Sequence, residues 1–328
     1  MTRLTKLCAA MVGAAALAVA APAGAALTTF QSYTGNIGYS SSGWGSLDPS
    51  GSISAYVPAG SEVIGAYLYT SLVYGASASS TYTGTLNGSA VTFGPVISQT
   101  TFPNLGSARA DVTSIVAPTI NGGAGGVYNF SIGEGNTSQQ DGEALFVIYK
   151  NAALPTASFG LLDGFSNVGG DSTSVNFASA LHPANPGFAA EMVLGIGFSC
   201  CSQASQVSVN GTVITTAAGS NDDGAAVANG SLITVGGYND PYSPFLPTYA
   251  NDHERYDLKP YIADGDLTIK IDTLNPSNDD NIFVAGFYVS GIAGFNAPPP
   301  PVPEPETYAL MLAGLGAVGF MARRRRSS

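Results

Sequence analysis

Two Asn-Gly hairpins decide how this chain folds. Residues 85–93 read TLNGSAVTF, and residues 207–214 read VSVNGTVI. In both stretches Asn-Gly separates two short runs in which apolar and small polar side chains alternate. This is the strongest short-range signal of a two-residue β-hairpin. We therefore predict an antiparallel strand pair at each place.

The segments around the two hairpins repeat in the same order. Each copy has an apolar strand, the hairpin, an Arg-x-Asp sequence, a strand that opens with Gly, and an acidic turn before a last apolar strand. The copies cover residues 63–149 and 192–289, and they differ by loop insertions, which surface loops tolerate. The sequence thus predicts an all-β protein of two tandem antiparallel β-sandwich modules, 26–152 and 153–296. A chance resemblance between two β-rich segments is the alternative.

The composition indicates a folded, turn-rich and acidic body. Of the 328 residues, 41 are Gly and 20 are Pro, and 45% are hydrophobic, which is ample material for a core. Six of the 11 basic residues lie at the two ends of the chain. The interior therefore holds five basic residues against all 22 acidic ones, a net charge of −17. Such a charge excludes a nucleic-acid partner held by phosphate contacts and disfavours docking to anionic lipid.

Residues 1–25 have the pattern of a secretory signal peptide. Arg3 and Lys6 accompany the apolar run 7–20, and Ala-Gly-Ala at 23–25 is a small-x-small cleavage site. A retained membrane anchor is the alternative, but the run is shorter than the ~20 residues that a spanning helix needs. Cys8 leaves with the peptide, so we expect the exported chain to keep two cysteines.

The C-terminal segment combines a proline-rich linker at 297–302 with a short apolar run and a basic end. The elements are Pro303, Glu304, Pro305, the apolar residues 309–322, and Arg323, Arg324, Arg325 and Arg326. As a helix the apolar run would span roughly 21 Å, which is short for a ~30 Å hydrocarbon core. Positive residues stay cytoplasmic, so we predict a short membrane helix that keeps the body outside.

This C-terminal arrangement resembles the PEP-CTERM sorting signal of Gram-negative bacteria over residues 303–328. The resemblance implies transient insertion into the inner membrane, recognition by the membrane-embedded exosortase, and cleavage near the Pro-Glu-Pro motif. It also implies delivery to the cell surface or to an exopolysaccharide matrix. A plain tail anchor is the alternative.

The order of elements in the body resembles that of galactose-binding-type jelly rolls. This resemblance rests on the hairpin, the Arg-x-Asp sequence and the strand after it in each copy. Residues 141–150 and 161–165 are also similar to repeats in bacterial surface proteins. Both resemblances favour a jelly-roll-like fold and a surface location rather than a particular chemistry.

Acidic loops are candidates for one structural Ca²⁺ ion, because Ca²⁺ prefers carboxylate and carbonyl oxygens. None of these loops has the spacing of a known calcium loop, and solvated turns rich in Asn, Asp and Gly are the alternative. The candidate ligands are Asp222, Asp223, Asp252, Glu254, Asp279 and Asp280.

Three further pairs of residues have a pattern that predicts a structural role. Cys200 and Cys201 are adjacent in an exported chain, where a vicinal disulfide is our first choice, with intermolecular pairing or free thiols as alternatives. In each copy the Arg-x-Asp sequence places Arg and Asp on one face of a strand, as in Arg109 with Asp111 and Arg255 with Asp257. We expect each to be an ion pair that supports the fold.

Aromatic residues in the loops are candidates for stacking on sugar rings. Trp44, Tyr238 and Tyr242 lead this group, and Tyr39, Phe245 and Tyr249 share its setting. Capping of the sandwich ends is the alternative. No nucleophile motif lies near His182 or His253, so we do not expect an enzyme, although a pair of carboxylates could serve a glycosidase.

The sequence therefore predicts an exported, non-enzymatic protein that binds or scaffolds extracellular polysaccharide. A hydrolase or lyase that cleaves such polymers is one alternative. A structural or adhesive coat protein that binds other proteins is another.

Overall fold

The computed structural model describes residues 27–45, 48–74, 77, 79–98, 105–164, 170–177, 179–197, 205–219, 232–243, 254–275 and 281–291. The predicted signal peptide, proline-rich linker and sorting signal lie outside the described residues. Within the described residues no helix is long and apolar enough to cross a membrane.

Strands make up 59% of the described residues, which confirms the all-β prediction. Helical structure is confined to α1 (Thr113–Ile120) and a 3₁₀ turn at Lys259–Tyr261 within these residues. The strands are β1 (Thr28–Gly35), β2 (Ile37–Trp44), β3 (Ser50–Val57), β4 (Glu62–Leu72), β5 (Thr83–Leu86), β6 (Ser89–Thr92), β7 (Ile97–Ser98), β8 (Gly106–Asp111), β9 (Gly126–Glu134), β10 (Gln140–Lys150), β11 (Ala157–Asp163), β12 (Asp171–Asn176), β13 (Ala190–Gly197), β14 (Ser205–Val209), β15 (Thr212–Ala218), β16 (Ile233–Val235), β17 (Arg255–Asp257), β18 (Thr268–Leu274) and β19 (Asn281–Ser290).

The strands form four antiparallel sheets. The first outer sheet has the order β3-β9-β5-β6, and the first inner sheet has the order β2-β10-β4-β8-β7. The second inner sheet has the order β1-β11-β19-β13-β16, with β17 also paired to β13, and the second outer sheet has the order β12-β18-β14-β15. Apart from β1, each strand of the first half, β2 to β10, has a counterpart nine strands later, from β11 to β19.

Both Asn-Gly sites form the predicted hairpins. The backbone φ angles are +50° at Asn87 and +76° at Gly88, and they are +49° at Asn210 and +81° at Gly211. Positive φ at both central residues is the conformation of a type I′ turn, whose twist matches that of the flanking strands. The turns thereby join β5 to β6 and β14 to β15.

Three apolar layers separate the four sheets. One core lies between the first outer and first inner sheets, and a second lies between the second inner and second outer sheets. The third, central core packs the two inner sheets against each other. Strand β10 serves two of these cores, because Leu145 and Val147 face the first core while Phe146 and Ile148 face the central one. This explains why β10 reads as a continuous apolar run rather than as an alternating one.

The first strand crosses between the halves. Residues 28–35 fall within the predicted first module, but β1 pairs with β11 at the edge of the second inner sheet. Phe30 and Tyr33 of this strand pack against the central core, so β1 both covers the edge of β11 and ties the two halves together.

Candidate functional site

Of the six predicted Ca²⁺ ligands, only Glu254 lies within the described residues. Its side chain is fully buried and has protein partners, since Oε1 accepts the Gly219 N–H at 2.7 Å and Oε2 accepts the Tyr256 hydroxyl at 2.8 Å. Glu254 therefore joins two segments of the second half. Among the described residues no group of three or more His, Cys, Asp or Glu side chains is placed to hold a metal ion. Cys200, Cys201, Phe245 and Tyr249 lie outside these residues.

Trp44 belongs to the first core. Its side chain is 6% exposed, and its indole lies over Gly51 of β3, where a Cβ atom would collide with it. A buried ring offers no face to a sugar, so Trp44 has a packing role instead of the predicted stacking role.

The repeated arginines do not pair with the aspartates two residues away. Arg109 forms an ion pair with Asp163 of the other half, and Arg255 forms one with Glu191. Asp111 accepts the Thr113 N–H at 2.9 Å, where α1 begins, and Asp257 similarly accepts the Lys259 N–H at 3.0 Å, where the 3₁₀ turn begins. Each aspartate thus forms an Asx turn just before a helical turn, and the Arg-x-Asp sequence combines two separate structural roles.

Two of the predicted sugar-stacking residues, Tyr238 and Tyr242, both contact Arg255, and the loop that carries them docks on the first half. Tyr238 N–H donates to Ser41 O at 2.8 Å, and the Ser41 hydroxyl donates to Gly236 O at 2.6 Å. The Tyr238 ring then stacks on Tyr56 of β3, with centroids 6.0 Å apart and an interplanar angle of 24°. We call the surrounding group the tyrosine cluster; it comprises Tyr39, Tyr56, Tyr238, Tyr242 and Tyr288.

An ion pair anchors the tyrosine cluster. Arg255 Nε and Nη2 donate to Glu191 Oε2 at 3.0 and 2.9 Å, and the Tyr242 hydroxyl donates to the same oxygen at 3.1 Å. Arg255 Nη1 also donates to Asp240 O at 2.8 Å, and the guanidinium carbon lies 4.8 Å from the centroid of the Tyr242 ring. Charge-assisted bonds and a cation–π contact therefore fix the guanidinium and the ring in one arrangement.

The electrostatics of the cluster follow from this ion pair. Burial alone would lower the pKa of Arg255, but the Glu191 carboxylate together with Tyr39 and Tyr242 more than offsets it, so the pKa is raised. Burial and then the Glu191 charge raise the pKa of Tyr242 to about 12. The Tyr242 hydroxyl thus stays protonated at neutral pH and donates to Glu191.

Two rings of the cluster are open to solvent. Tyr56 is 44% exposed and Tyr242 is 45% exposed, while Tyr238 and Tyr288 are partly buried. The cluster thus offers solvent-exposed aromatic rings together with polar groups. Sequence reasoning missed Glu191 and Tyr56; the signal for Glu191 was a single charged residue inside the apolar strand β13.

A second group that sequence reasoning missed is a set of buried carboxyl groups in the first half. Glu143 is 1% exposed, and it accepts the Thr70 hydroxyl at 3.2 Å on Oε1. Among the described residues, Glu143 Oε2 and Glu134 Oε1 have no hydrogen-bond partner. Burial, and then the charge of Asp141, raises the pKa of Glu134 to about 8, and burial raises that of Asp141 to about 7. Burial also raises the pKa of Glu143 well above its ordinary value.

Comparison with known protein families identifies the C-terminal segment. The PEP-CTERM protein-sorting motif matches residues 301–326. A comparison with curated proteins finds no match. The motif implies that the protein is exported to the surface of a Gram-negative bacterium and is processed by exosortase. The chain is therefore an exported, β-sandwich-like surface protein that carries a PEP-CTERM sorting signal.

Proposed function

We propose that this exported protein consists of two tandem jelly-roll-like modules and binds extracellular polysaccharide at the tyrosine cluster without cleaving it. The observation that carries the proposal is the exposure of two tyrosine rings of this cluster, Tyr56 stacked on Tyr238 and Tyr242 packed on the guanidinium of the Arg255–Glu191 ion pair. The sorting signal would be inserted in the inner membrane only transiently before processing, with its basic end on the cytoplasmic side.

The chemistry of this surface suits a sugar polymer. A pyranose ring has an apolar C–H face that packs on an aromatic ring, and hydroxyl groups that pair with polar groups at the rim. Tyr56 and Tyr242 are each nearly half exposed, so both can offer part of a ring to the C–H face of a sugar. Because the loop from Gly236 is already bonded to β2, little ordering of the protein is needed on binding.

The carboxylates near the cluster favour binding over cleavage. A glycosidase needs two carboxyl groups that flank the scissile bond. Glu191 is held by Arg255 and Tyr242, and Asp240 Oδ2 accepts the Gly237 N–H at 2.7 Å. Glu143 of the other acidic group is 1% exposed and so is closed to a polymer.

Binding of the purified protein to exopolysaccharide from the producing bacterium tests the proposal. We expect Tyr242→Ala to weaken binding about tenfold, or ~1.4 kcal/mol. The matched control is Tyr74→Ala, because Tyr74 is 60% exposed and lies outside the cluster. Equal affinities of the two variants and the wild type would contradict the proposed site.

Two further measurements address cleavage and Ca²⁺. We expect no release of reducing ends from the polymer, and release that persists in purified protein would indicate a hydrolase. Repeating the binding with Ca²⁺ and then with a chelator tests the structural Ca²⁺ predicted for the acidic loops. Binding lost on chelation would support an ion there, whereas unchanged binding would contradict it.

A further inference from the structure

A separate cavity lies beside the first arginine of the repeat. It has a volume of about 240 Å³, and Tyr69, Pro95, Ile97, Ser107, Arg109 and Asp163 line it. Sites for drug-sized ligands are about 300–1,000 Å³, so this cavity suits one small molecule. It differs from the tyrosine cluster in every residue.

An unpartnered hydroxyl marks this cavity as a binding site. Tyr69 is 1% exposed, and its hydroxyl has no hydrogen-bond partner among the described residues. A buried hydroxyl without a partner costs free energy, which a bound polar group would recover. The Tyr69 ring is fixed by Phe146 and Phe283, with centroids 6.0 and 6.4 Å away.

The repeat shows that the fold does not need this hydroxyl. Tyr69 lies opposite Arg109 in the sheet, and the residue at the same place opposite Arg255 is Val193. Val193 packs in the central core just as the ring of Tyr69 does. The Tyr69 phenol oxygen is therefore a feature of the first half that the second half lacks at the equivalent position.

The charges of the cavity favour a neutral ligand. Arg109 is paired with Asp163, and its guanidinium carbon lies 3.3 Å from the centroid of the Phe30 ring. The pair has no net charge, yet it offers N–H donors and carboxylate acceptors side by side, which is what two neighbouring hydroxyl groups require. Pro95 and Ile97 supply an apolar wall.

We infer that this cavity binds one neutral, polyhydroxylated ring, such as a single hexose unit, through Arg109, Asp163 and the Tyr69 hydroxyl. The choice of a sugar rests on the proposed function, whereas the site itself does not depend on the tyrosine cluster. Tyr69 and the ion pair would contact the hydroxyls, and Ile97 would contact the ring.

The test titrates the full protein separately with D-galactose, D-glucose, D-mannose and D-glucuronate, followed by ligand-observed NMR. We expect at least one neutral hexose to bind, and Tyr69→Phe to weaken it at least fivefold. Tyr67→Phe is the matched control, because it also removes a tyrosine hydroxyl from β4. The Tyr67 hydroxyl lies outside the cavity and is hydrogen-bonded to the Tyr33 hydroxyl at 2.6 Å. Equal affinity of Tyr69→Phe and wild type would overturn the inference, as would absence of binding by every hexose or tighter binding of glucuronate.

The same variants separate this inference from the proposed function. If the polymer does not bind but a hexose binds and requires Tyr69, the proposed function is wrong and the cavity stands. Loss of polymer binding in Tyr242→Ala with hexose binding intact would support both sites. Loss of hexose binding in Tyr242→Ala would overturn a separate cavity site.

Discussion

Replacing Glu134 by Gln should make the folded protein less sensitive to alkaline pH. The pKa of Glu134 is raised from 4.5 to about 8 by burial and by Asp141. Between these two values the folded state keeps a proton that the unfolded state has lost. The free energy of unfolding therefore falls as pH rises through this range, and the loss is complete above pH 8.

The size of this pH effect follows from the raised pKa values of Glu134 and Asp141 in the folded state. Each group contributes up to ~1.4 kcal/mol per pH unit between its unfolded and folded pKa. From pH 6 to pH 9, Glu134 would titrate over about two units, and partial exposure to solvent reduces its share to about 1–2 kcal/mol. Asp141, with a folded pKa of about 7 caused by burial alone, adds about 1 kcal/mol that the substitution leaves in place.

Urea unfolding at pH 4.5, 6 and 9 measures this effect. The chain has one tryptophan, Trp44, which lies opposite Glu143 in the first inner sheet, so its fluorescence reports on the relevant core. We expect Glu134→Gln and wild type to differ little at pH 4.5, and the variant to lose about 1–2 kcal/mol less than wild type between pH 6 and pH 9. The control Glu62→Gln removes a carboxylate that is 57% exposed. Equal pH slopes for Glu134→Gln and wild type would refute the reasoning.

Two further substitutions test the packing of each half. Gly51→Ala would place a Cβ atom against the Trp44 indole, and we expect a loss of about 1–3 kcal/mol together with a shifted emission maximum; an unchanged spectrum and stability would show that the indole is free to move. Arg255→Met would leave the nearly buried Glu191 without its partner, and we expect a loss of about 1–3 kcal/mol in thermal unfolding. Adding Glu191→Gln should recover part of that loss, and no recovery would mean that the ion pair is not the cause.

Local sequence patterns predicted the elements whose partners are near in the chain. The hairpins at Asn87 and Asn210 are of this kind, because two residues with positive φ set the whole turn. Partners that come from the other half could not be predicted, since no local pattern names them. Arg109 thus pairs with Asp163 rather than with Asp111, and β1 joins β11 across the predicted module boundary.

For the candidate site too, the sequence predicted single residues but not their partners from distant parts of the chain. The sequence singled out Tyr238 and Tyr242 because aromatic residues in a polar loop stand out. It could not show that Tyr56 lies under Tyr238 or that Glu191 lies beside Tyr242, because the loop meets β3 and β13, strands of two different sheets, only after folding. Trp44 shows the opposite error, since a Gly- and Ser-rich neighbourhood is also what a large buried ring needs around it.

Comparison of the two halves separates what the fold requires from what it does not. Thr70 and Glu143 are opposite each other in the first inner sheet, and the equivalent pair in the second is Leu194 and Ala285. Both pairs lie on the face that packs against an outer sheet, so one half holds a buried carboxyl group where the other is apolar. The carboxyl group is thus an addition to the fold and not a part of it.

This comparison predicts the effect of a double exchange. Thr70→Leu with Glu143→Ala places the apolar pair of the second half in the first half, and it removes a group whose burial raises its pKa well above the ordinary value. We expect the double variant to lie within about 2 kcal/mol of wild type at pH 7, because the apolar residues have a similar total volume while the buried Gln140 amide loses Thr70 and Glu143 as acceptors. Glu143→Ala alone should be less stable than the pair, since it leaves a cavity beside Thr70. Urea unfolding followed by Trp44 fluorescence compares the three proteins, and a double variant less stable than Glu143→Ala would show that the two halves are not equivalent at this place.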